Sequence, residues 1–384
     1  MNLISEFTRF LILPLLFILL LGCDKDPMKN IADPEGVVDV PGFNGEGLIV
    51  PVKINNSNQI IGYYHKSAQG PDSNDPFDGN RETGFFINSD GGGNIILNQP
   101  DHVVNRPADI NEQGVIVGEY ISEENFQGFA NDSPTQAYSM HKDGTGFQML
   151  HPEGAYYSAA THVTNHPYIL GHYSNSEQGA IACIFQGDSV THLVDTSAVL
   201  FSQVHAVNSE YAIIYGYTGQ IREYYAFHFQ SGVLSQLEIP AAVADFSGIH
   251  AVNEQGIAVG FSLDFDQSDG FIGIVYDMNT HQLSLYNTSN SFGGSSYVGY
   301  KFMDINENEF ITGLAERPFE GGFLQSRAMI IDGQFQNFRD ITPPNGDAYS
   351  EMYSINNQGI ALGYLGIPKG THVINKMMVI DVSD

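Results

Sequence analysis

The chain has 384 residues, with 44 Asp or Glu, 15 Lys or Arg and a formal net charge of −29. Nucleic-acid binding needs a basic surface, so this balance argues against that class and suits solubility, divalent cations or basic partners. The 41 Gly, 25 Phe and 20 Tyr, with little helical periodicity, indicate an all-β protein with ample material for a core.

Residues 1–22 have the pattern of a secretory signal. Arg9 precedes an apolar run over residues 10–21, which is too short for a comfortable membrane span. The segment 20–23, Leu-Leu-Gly-Cys, resembles the bacterial lipoprotein signal. That resemblance implies cleavage before Cys23, acylation of Cys23 and a lipid anchor in the cell envelope. An uncleaved anchor or a plain signal peptide is the alternative.

Residues 23–36 are predicted to be a flexible tether, because the stretch after Cys23 is polar, aperiodic and contains proline. The outer membrane or cell surface is the expected location, and the periplasmic side of the inner membrane is the alternative. An acylated Cys23 leaves Cys183 without a partner. Cys183 lies in an apolar strand and is predicted to be a buried free thiol.

One short pattern recurs seven times along the rest of the chain. In its clearest copy, residues 108–120, an apolar residue precedes an Asn, and an apolar run closes on Gly and usually an aromatic residue. The repeated Asn residues are Asn55, Asn111, Asn165, Asn208, Asn253, Asn306 and Asn356. The closing glycines are Gly62, Gly118, Gly171, Gly216, Gly260, Gly313 and Gly363. This regular recurrence indicates a repeat architecture.

Each copy predicts a tight β-hairpin whose turn begins at the Asn, since an Asn side chain can bond to the backbone ahead of it. Three residues later the turn needs a positive φ, which suits Gly114, Gly256 and Gly359, and Asn58 in the first copy. Copies three, four and six have Tyr168, Tyr211 and Glu309 at this position, so different turns are predicted there.

A third and a fourth strand are predicted after the hairpins. The third strands are 85–88, 137–141, 182–186, 226–230, 273–277, 328–332 and 377–381. The fourth strands are 95–99, 147–151, 190–195, 234–239, 282–287, 335–342 and, at the other end of the chain, 37–41. The chain thus starts with an unpaired fourth strand and ends with an unpaired third strand.

A closed ring explains these ends. We predict a single domain over residues 37–384, a seven-bladed β-propeller of four-stranded blades in which residues 37–41 complete the last blade. An open β-solenoid or a pair of sandwiches is the alternative, but neither accounts for the permuted ends.

The repeats also resemble those of the HAF-type extracellular repeat proteins, in which an Ile-Asn turn is followed by Val-Gly and an aromatic residue. The copies that carry this resemblance are Ile110-Asn111 with Val117-Gly118, Val252-Asn253 with Val259-Gly260, and Ile355-Asn356 with Leu362-Gly363. The resemblance covers nearly the whole mature chain. It implies a fold and an extracellular setting, and no particular ligand, because the family is defined by its repeat.

Candidate ligand-binding residues are expected on the face that holds the fourth-to-first and second-to-third connections. Three second-to-third loops there are long, over residues 64–84, 121–136 and 315–327, and long loops on a rigid scaffold favour function. The candidates on this face are His162, His205, His250, Tyr156, Tyr157, Phe246, Tyr297, Tyr300 and Tyr349.

Two interpretations remain open for these side chains. Three consecutive repeats place a His three residues before the Asn, so imidazoles could form a metal or anion site, or each could cap a loop. The aromatic side chains could stack on sugars or anchor a protein partner, or they could fill gaps between blades.

One acidic loop is a weak calcium candidate. Asp264, Asp266 and Asp269 precede Gly270 with a spacing close to that of calcium loops, although a solvated acidic loop explains them as well. Asp72, Asp75 and Asp78 crowd another loop. No other cofactor is expected.

The sequence contains no Gly-x-Ser-x-Gly, His-Glu-x-x-His or Gly-Lys-Ser/Thr phosphate-binding motif. The predicted function is therefore a lipid-anchored envelope module that binds a protein or a glycan through the loop-rich face. A polysaccharide hydrolase or lyase is one alternative, and a concentration of aromatic and carboxylate side chains near the axis would favour it. An envelope-assembly scaffold is the other.

Overall fold

The computed structural model describes residues 37–38, 48–65, 81–97, 101–128, 133–166, 168–175, 179–187, 189–197, 199, 201–219, 221–240, 247–264, 270–286, 297–318, 324–334, 337–341, 349–369 and 372–382. These residues form strands joined by turns and bends, and none of them is helical. The prediction of an all-β protein is confirmed.

The strands are grouped in antiparallel units of four, numbered here in chain order. Unit 1 contains β2 (Ile49–Ile54), β3 (Gln59–His65), β4 (Glu82–Asn88) and β5 (Ile95–Leu97). Unit 2 contains β6 (His102–Ile110), β7 (Val115–Ser122), β8 (Gln136–His141) and β9 (Gln148–Met149). Unit 3 contains β10 (Tyr157–Val163), β11 (Ile169–Asn175), β12 (Gly179–Gln186) and β13 (Ser189–His192). Unit 4 contains β14 (Phe201–Val207), β15 (Tyr211–Thr218), β16 (Ile221–His228) and β17 (Val233–Gln236).

Unit 5 contains β18 (Ser247–Val252), β19 (Ile257–Asp264), β20 (Gly270–Asp277) and β21 (Gln282–Tyr286). Unit 6 contains β22 (Gly299–Ile305), β23 (Ile311–Pro318), β24 (Leu324–Ile331) and β25 (Phe338–Asp340). Unit 7 contains β26 (Tyr349–Ile355), β27 (Ile360–Lys369), β28 (His372–Asp381) and β1 (Val37–Val38). The fourth strand of unit 7 thus comes from the start of the chain, and Val37 pairs with Met378. Units 1 and 2 are joined by one parallel bridge between Glu82 and Val104.

Apolar side chains pack between neighbouring units. Each of six buried clusters draws its residues from two units that follow one another, such as units 4 and 5 or units 5 and 6. One further cluster of this kind joins unit 1 to unit 7, where Ile54 and Phe85 pack with Leu362 and Met377. Cys183 is fully buried in the cluster between units 2 and 3, so the predicted buried free thiol is confirmed.

The hairpin turns follow the predicted chemistry closely. Gly114, Gly256 and Gly359 have φ of 77°, 78° and 82°, and Asn58 has φ of 57°. The different turn predicted for copy six is wrong, because Glu309 has φ of 61° and the turn has the same form as the others. A residue with a Cβ is strained at positive φ, but Glu309 adopts this conformation because the hairpin turn requires it.

In two repeats the turn and the strand pairing differ from those assigned from the sequence. In copy three the amide of Thr164 bonds to the carbonyl of Tyr168, as the amide of Asn111 bonds to Val115, so Thr164 and not Asn165 begins the turn. In copy four the turn is one residue shorter, since Asn208 bonds to Tyr211. Its register places Ile214, and not Gly216, at the position of the closing glycine.

The turn Asn has two roles, of which the sequence predicted one. Its Oδ1 accepts from amides ahead in the same turn, at 3.1 Å from Gln113 N and 2.9 Å from Val115 N in the case of Asn111. Its Nδ2 donates to the backbone carbonyl at the equivalent position of the next unit. These bonds are Asn55 to Asn111, Asn111 to Thr164, Asn208 to Asn253, Asn253 to Asn306, Asn306 to Asn356 and Asn356 to Asn55. These bonds join six pairs of neighbouring units; units 3 and 4 are the exception, since Thr164 begins the turn of unit 3.

Candidate functional site

Every first strand contains a β-bulge, that is, one extra residue that the second strand does not match. The extra residues are Val52, Ala108, Thr161, His205, His250, Met303 and Tyr353. The bulge explains the closing glycine of the motif. A Cβ on Gly260 would lie 1.8 Å from the carbonyl oxygen of Gly248, and one on Gly313 would lie 1.9 Å from that of Lys301.

A cavity of about 670 Å³ lies between the first strands of all seven units. Six of the seven extra residues line it, and His205 is the exception. The bulges therefore decide which side chains form the cavity wall. At one mouth, the turn residues that follow the repeated Asn add carboxylates, among them Glu112, Glu254 and Glu307.

Three charges lie together in this wall. Lys53 Nζ is 3.0 Å from Asp304 Oδ2, which also accepts from Ser354 Oγ at 2.8 Å. Asp109 Oδ2 accepts from the amide of Val163 at 2.9 Å. Burial lowers the pKa of Lys53, but the carboxylates of Asp304 and Asp109 outweigh that effect and hold the pKa above its ordinary value. These groups satisfy one another and the bulged backbone, which is a structural role.

The three candidate histidines lie near this cavity and are neutral at pH 7. Burial lowers the pKa of His162 to about 3 and that of His250 to about 4, and moves the pKa of His205 well below its usual value. The ring centroids of His205 and His250 are 6.5 Å apart. The expectation that all three occupy one repeat position is wrong, because His162 follows the extra residue Thr161 whereas His205 and His250 are themselves extra residues. Among the described residues, no three His, Cys, Asp or Glu side chains are arranged to hold a metal ion.

A continuous layer of cations and rings, here called the interior band, extends from unit 4 to unit 6. It consists of Arg222, Tyr215, His205, His250, Phe261 and Lys301. Of its members, His250 lines the cavity.

The contacts within the interior band are close. The Arg222 Cζ atom lies 4.4 Å from the centre of the Tyr215 ring, whose centre is 4.3 Å from that of His205. His250 stacks on Phe261 at 4.8 Å with the planes 6° apart. Lys301 Nζ lies 5.2 Å from the centre of Phe261. Cation–π contacts of this kind position the two cations without neutralising them.

The cation of unit 2 is different because it is paired. Arg106 Nη2 lies 2.8 Å from Glu82 Oε1, and Nη1 lies 3.2 Å from Glu119 Oε1. Glu82 is also 3.6 Å from His65 Nδ1. Each nitrogen of the guanidinium thus donates to a carboxylate, which fits a structural role.

Two carboxylates lie beside the interior band at units 6 and 7. Burial raises the pKa of Glu316 to about 7, the charge of Lys301 acts against that rise, and Glu351 adds to it. Glu316 Oε2 is buried without a hydrogen-bond partner. Glu351 accepts a hydrogen bond from the Tyr353 hydroxyl at 2.7 Å. Glu316 is thus the less satisfied of the two.

The predicted aromatic candidates lie in different environments. Tyr156 is 57% exposed, and Tyr157 packs edge-on to His172 with centroids 5.9 Å apart. The Tyr349 hydroxyl donates to Asn375 Oδ1 at 2.9 Å. The expectation that Tyr297 and Tyr300 belong to a ligand face is wrong, because both rings are buried in the core between units 5 and 6. Phe246 lies outside the described residues.

The acidic loops are mostly outside the described residues. Asp264 ends β19 opposite Gly270, whereas Asp266 and Asp269 are outside, as are Asp72, Asp75 and Asp78. Cys23 and the signal segment are also outside. In the part of the chain that the structure covers, no helix is long and apolar enough to cross a membrane.

Sequence reasoning missed Arg222, Lys301 and Glu316. Arg222 and Glu316 do not recur at their positions in other repeats, and the Lys301 position is basic elsewhere only in unit 2, as Arg106, so the repeat pattern contains little signal for them. The aromatic residue after the closing glycine was visible as part of the motif, and at Phe261 it contributes to the interior band.

No protein-family model matches the chain, and no curated protein is detectably similar in sequence. Several solved structures are similar in fold. A puromycin-hydrolysing peptidase of Mycobacterium tuberculosis has a TM-score of 0.55 at 9% identity, over 88% of this chain and 52% of the peptidase. The β-propeller domain of the Trilobed protease from Pyrococcus furiosus has a TM-score of 0.53 at 8% identity, over 88% of this chain and 96% of that domain.

A prolyl endopeptidase is similar to the same degree, with a TM-score of 0.53 at 8% identity over 87% of this chain and 50% of the enzyme. The chain spans about half the length of the two peptidases. At such identities the likeness shows the fold alone, and the fold is a β-propeller.

Proposed function

We propose that the chain is a HAF-type repeat protein folded as a seven-bladed propeller closed into a ring, and that it binds a ligand at a bacterial cell envelope. Three contacts between the first and last repeats support the closure. The strand at 37–38 pairs with β28, apolar side chains pack between units 1 and 7, and Asn356 Nδ2 donates to Asn55 O at 3.0 Å. A ring of four-stranded blades removes long exposed sheet edges.

The proposed location rests on the lipoprotein-like signal that ends at Cys23. Several acyl chains on one Cys hold a protein stably at a bilayer, whereas one chain binds only marginally. The tether over residues 23–36 would then separate the propeller from the membrane surface. The proposed ligand site then lies outside the cytoplasm, with the outer membrane or cell surface favoured over the periplasmic side of the inner membrane.

Replacing the acylated residue tests the anchor. In cells fed an alkyne-labelled fatty acid, Cys23→Ala should remove the label from the protein and shift it out of the wild-type membrane fraction. Cys183→Ala is the matched control, because it removes the buried thiol and leaves the signal intact. Equal labelling of the Cys23→Ala and Cys183→Ala proteins would contradict lipid anchoring.

Ligand binding is supported by one observation above the others, the interior band of units 4 to 6. Two cations are held there against aromatic rings, and neither forms a salt bridge with a described residue. Propeller interiors are concave, so this band suits a glycan chain or a narrow protein segment better than a flat protein surface. We therefore propose a binding module whose partner enters from the loop-rich face.

The binding function can be tested with the full-length protein purified in detergent. A glycan array and affinity capture from envelope extracts should each be compared for wild type, Tyr156→Ala and Val233→Ala. Tyr156 is 57% exposed near the start of β10, and Val233 is 53% exposed on the outermost strand of unit 4. We expect Tyr156→Ala to weaken retention about tenfold, as for an exposed aromatic anchor, and Val233→Ala to leave it unchanged. The proposal would be contradicted if the wild-type protein retained no glycan or protein, or if Val233→Ala weakened retention as much as Tyr156→Ala.

The carboxylates Glu316 and Glu351 favour a second candidate function, cleavage of a polysaccharide. A general acid for this chemistry needs a raised pKa and a second carboxylate nearby. Burial raises the pKa of Glu316 to about 7, and Glu351 is close enough to add to the rise. Shortening of a captured glycan by the wild-type protein in the array experiment would assign this activity.

A further inference from the structure

The connection between β15 and β16 is one of the two shortest second-to-third connections. Thr218 pairs with Ile221, so only two residues separate the strands, as between Lys369 and His372 in unit 7. Arg222 therefore stands at the loop end of unit 4, where the corresponding connections of units 1, 2 and 6 are long. A side chain beside a short connection is positioned more sharply than one on a long loop.

Arg222 has unused hydrogen-bonding capacity. Its Nε atom is buried and has no hydrogen-bond partner, and its guanidinium is stacked on Tyr215 with Tyr224 at 5.7 Å. Buried donors without partners are rare and cost about 1–3 kcal/mol each, so such a group calls for an explanation. Two other buried polar atoms without partners, His172 Nδ1 and Glu316 Oε2, lie on the same inward side of the second strands.

The interior band contains two cations although the whole chain is strongly acidic. The net charge is −29, yet Arg222 and Lys301 lie on either side of two imidazoles that burial keeps neutral. Both cations are close enough to His250 to lower its pKa. Glu351 and Glu316 act on Lys301 from units 7 and 6, but no described carboxylate forms a salt bridge with Arg222.

We propose that the interior band is a receptor for an acidic oligosaccharide, with separate sugar carboxylates on Arg222 and Lys301 and separate sugar rings beside Tyr215 and Phe261. A guanidinium matches a carboxylate through two parallel hydrogen bonds, and aromatic faces pack against the C–H surface of a sugar ring. The neutral imidazole of His250 can offer a donor and an acceptor to hydroxyl groups, whereas His205 already bonds to the carbonyl of Ile249 through Nδ1 and keeps only Nε2. This inference rests on the proposed binding function and names its ligand class.

The test is calorimetric titration of the full-length protein in detergent with three probes. These are a galacturonic acid trisaccharide, the neutral galactose trisaccharide and inorganic phosphate. We expect the acidic trisaccharide to bind at least about tenfold more tightly than either of the others, since a charge-assisted pair of bonds is added to the ring contacts.

Two variants assign the binding to these residues. Arg222→Gln should weaken the acidic trisaccharide at least about tenfold and leave the neutral one unchanged, and Lys301→Gln should act in the same direction. Arg339→Gln is the matched control, because it removes the same charge from an exposed position on β25. Melting curves establish that each variant is folded, and Lys301→Gln decides the question if Arg222→Gln does not fold.

Three results would overturn the inference. Equal affinity for the acidic and neutral trisaccharides would remove the role of the carboxylate. Equal affinity for phosphate would reduce the site to a bare anion site. If Arg339→Gln lowered the affinity as much as Arg222→Gln, the effect would come from the net charge of the protein and not from the position of Arg222. If no saccharide binds while envelope capture retains a partner, the inference fails and the binding module stands.

Discussion

Lowering the pH from 7 to 5 is expected to reduce the free energy of unfolding by several kcal/mol. Burial lowers the pKa of His162 to about 3 and the pKa values of His172 and His250 to about 4. Below about pH 6.5 the unfolded chain protonates these residues and the folded chain does not, so stability falls as the pH falls. Each histidine contributes a loss of ~2 kcal/mol at pH 5 at most.

Carboxyl groups whose pKa is raised by burial oppose this loss, and Glu316 is the one with the large shift. The pKa of Glu316 is raised to about 7 in the folded protein, above its ordinary value of 4.5, so the folded state takes up its proton first and gains stability on acidification. The gain is about as large as the loss from one histidine. Because three histidines act in the other direction, and His205 with them, the net effect of acid remains destabilising.

Urea unfolding at pH 7 and pH 5 measures the difference. His250→Gln should reduce the pH dependence by ~2 kcal/mol or less, because it removes one of the titrating groups. His141→Gln is the control, since His141 is exposed at the end of β8 and should not alter the dependence. Equal stability of the wild type at the two pH values would show that these imidazoles are solvated in the folded state.

The parts of the fold that follow from local chemistry could be predicted from the sequence. A positive φ at Gly114, Gly256 and Gly359 follows from the turn type, and the Asn that begins each turn bonds to the amides ahead of it. The burial of Cys183 follows from its apolar strand. These features depend on residues only a few positions apart, so one sequence is sufficient to predict them.

Features that depend on contacts between units could not be predicted in this way. The closing glycine was interpreted as turn chemistry, but at Gly260 it makes room for the carbonyl of Gly248 beside a bulge. The register of copy three depends on the bond from Asn111 to the carbonyl of Thr164, which the sequence cannot distinguish from one to Asn165. Each of these is a long-range contact.

The candidate site was predicted less well than the fold. The sequence pattern assigned His162, His205 and His250 to one repeat position near the axis. The bulges show that His162 occupies a different position from the other two. Tyr300 is an aromatic residue of the kind that can stack on a ligand, but its side chain is fully buried. Arg222, by contrast, shows no pattern in the sequence, and its importance comes from a buried donor that lacks a partner. Only coordinates reveal an unsatisfied group.

The bonds between consecutive turns allow a direct test of ring closure. Asn306→Asp and Asn356→Asp each keep the oxygen that accepts from the turn amides, at 2.9 Å from Phe310 N and from Ile360 N. Each loses the donor to the next unit, Asn306 to Asn356 O at 2.9 Å and Asn356 to Asn55 O at 3.0 Å. A carboxylate facing a buried carbonyl should cost ~2–3 kcal/mol in the free energy of unfolding at pH 7.

The two substitutions are matched in chemistry and differ in which units they separate. Asn306 joins units 6 and 7, which are neighbours in the chain, whereas Asn356 joins unit 7 to unit 1 across a separation of 301 residues. In a closed ring both contacts are internal, so both variants should lose stability in urea unfolding. Asn356→Asp should lose at least as much, because Asn356 Nδ2 also donates to Asn58 Oδ1 at 2.7 Å. If the ring is open in solution, Asn356 faces water and Asn356→Asp should leave the stability near that of wild type while Asn306→Asp still lowers it. A loss at Asn356 that is as large as the loss at Asn306 therefore reports closure, because both variants exchange an amide for a carboxylate.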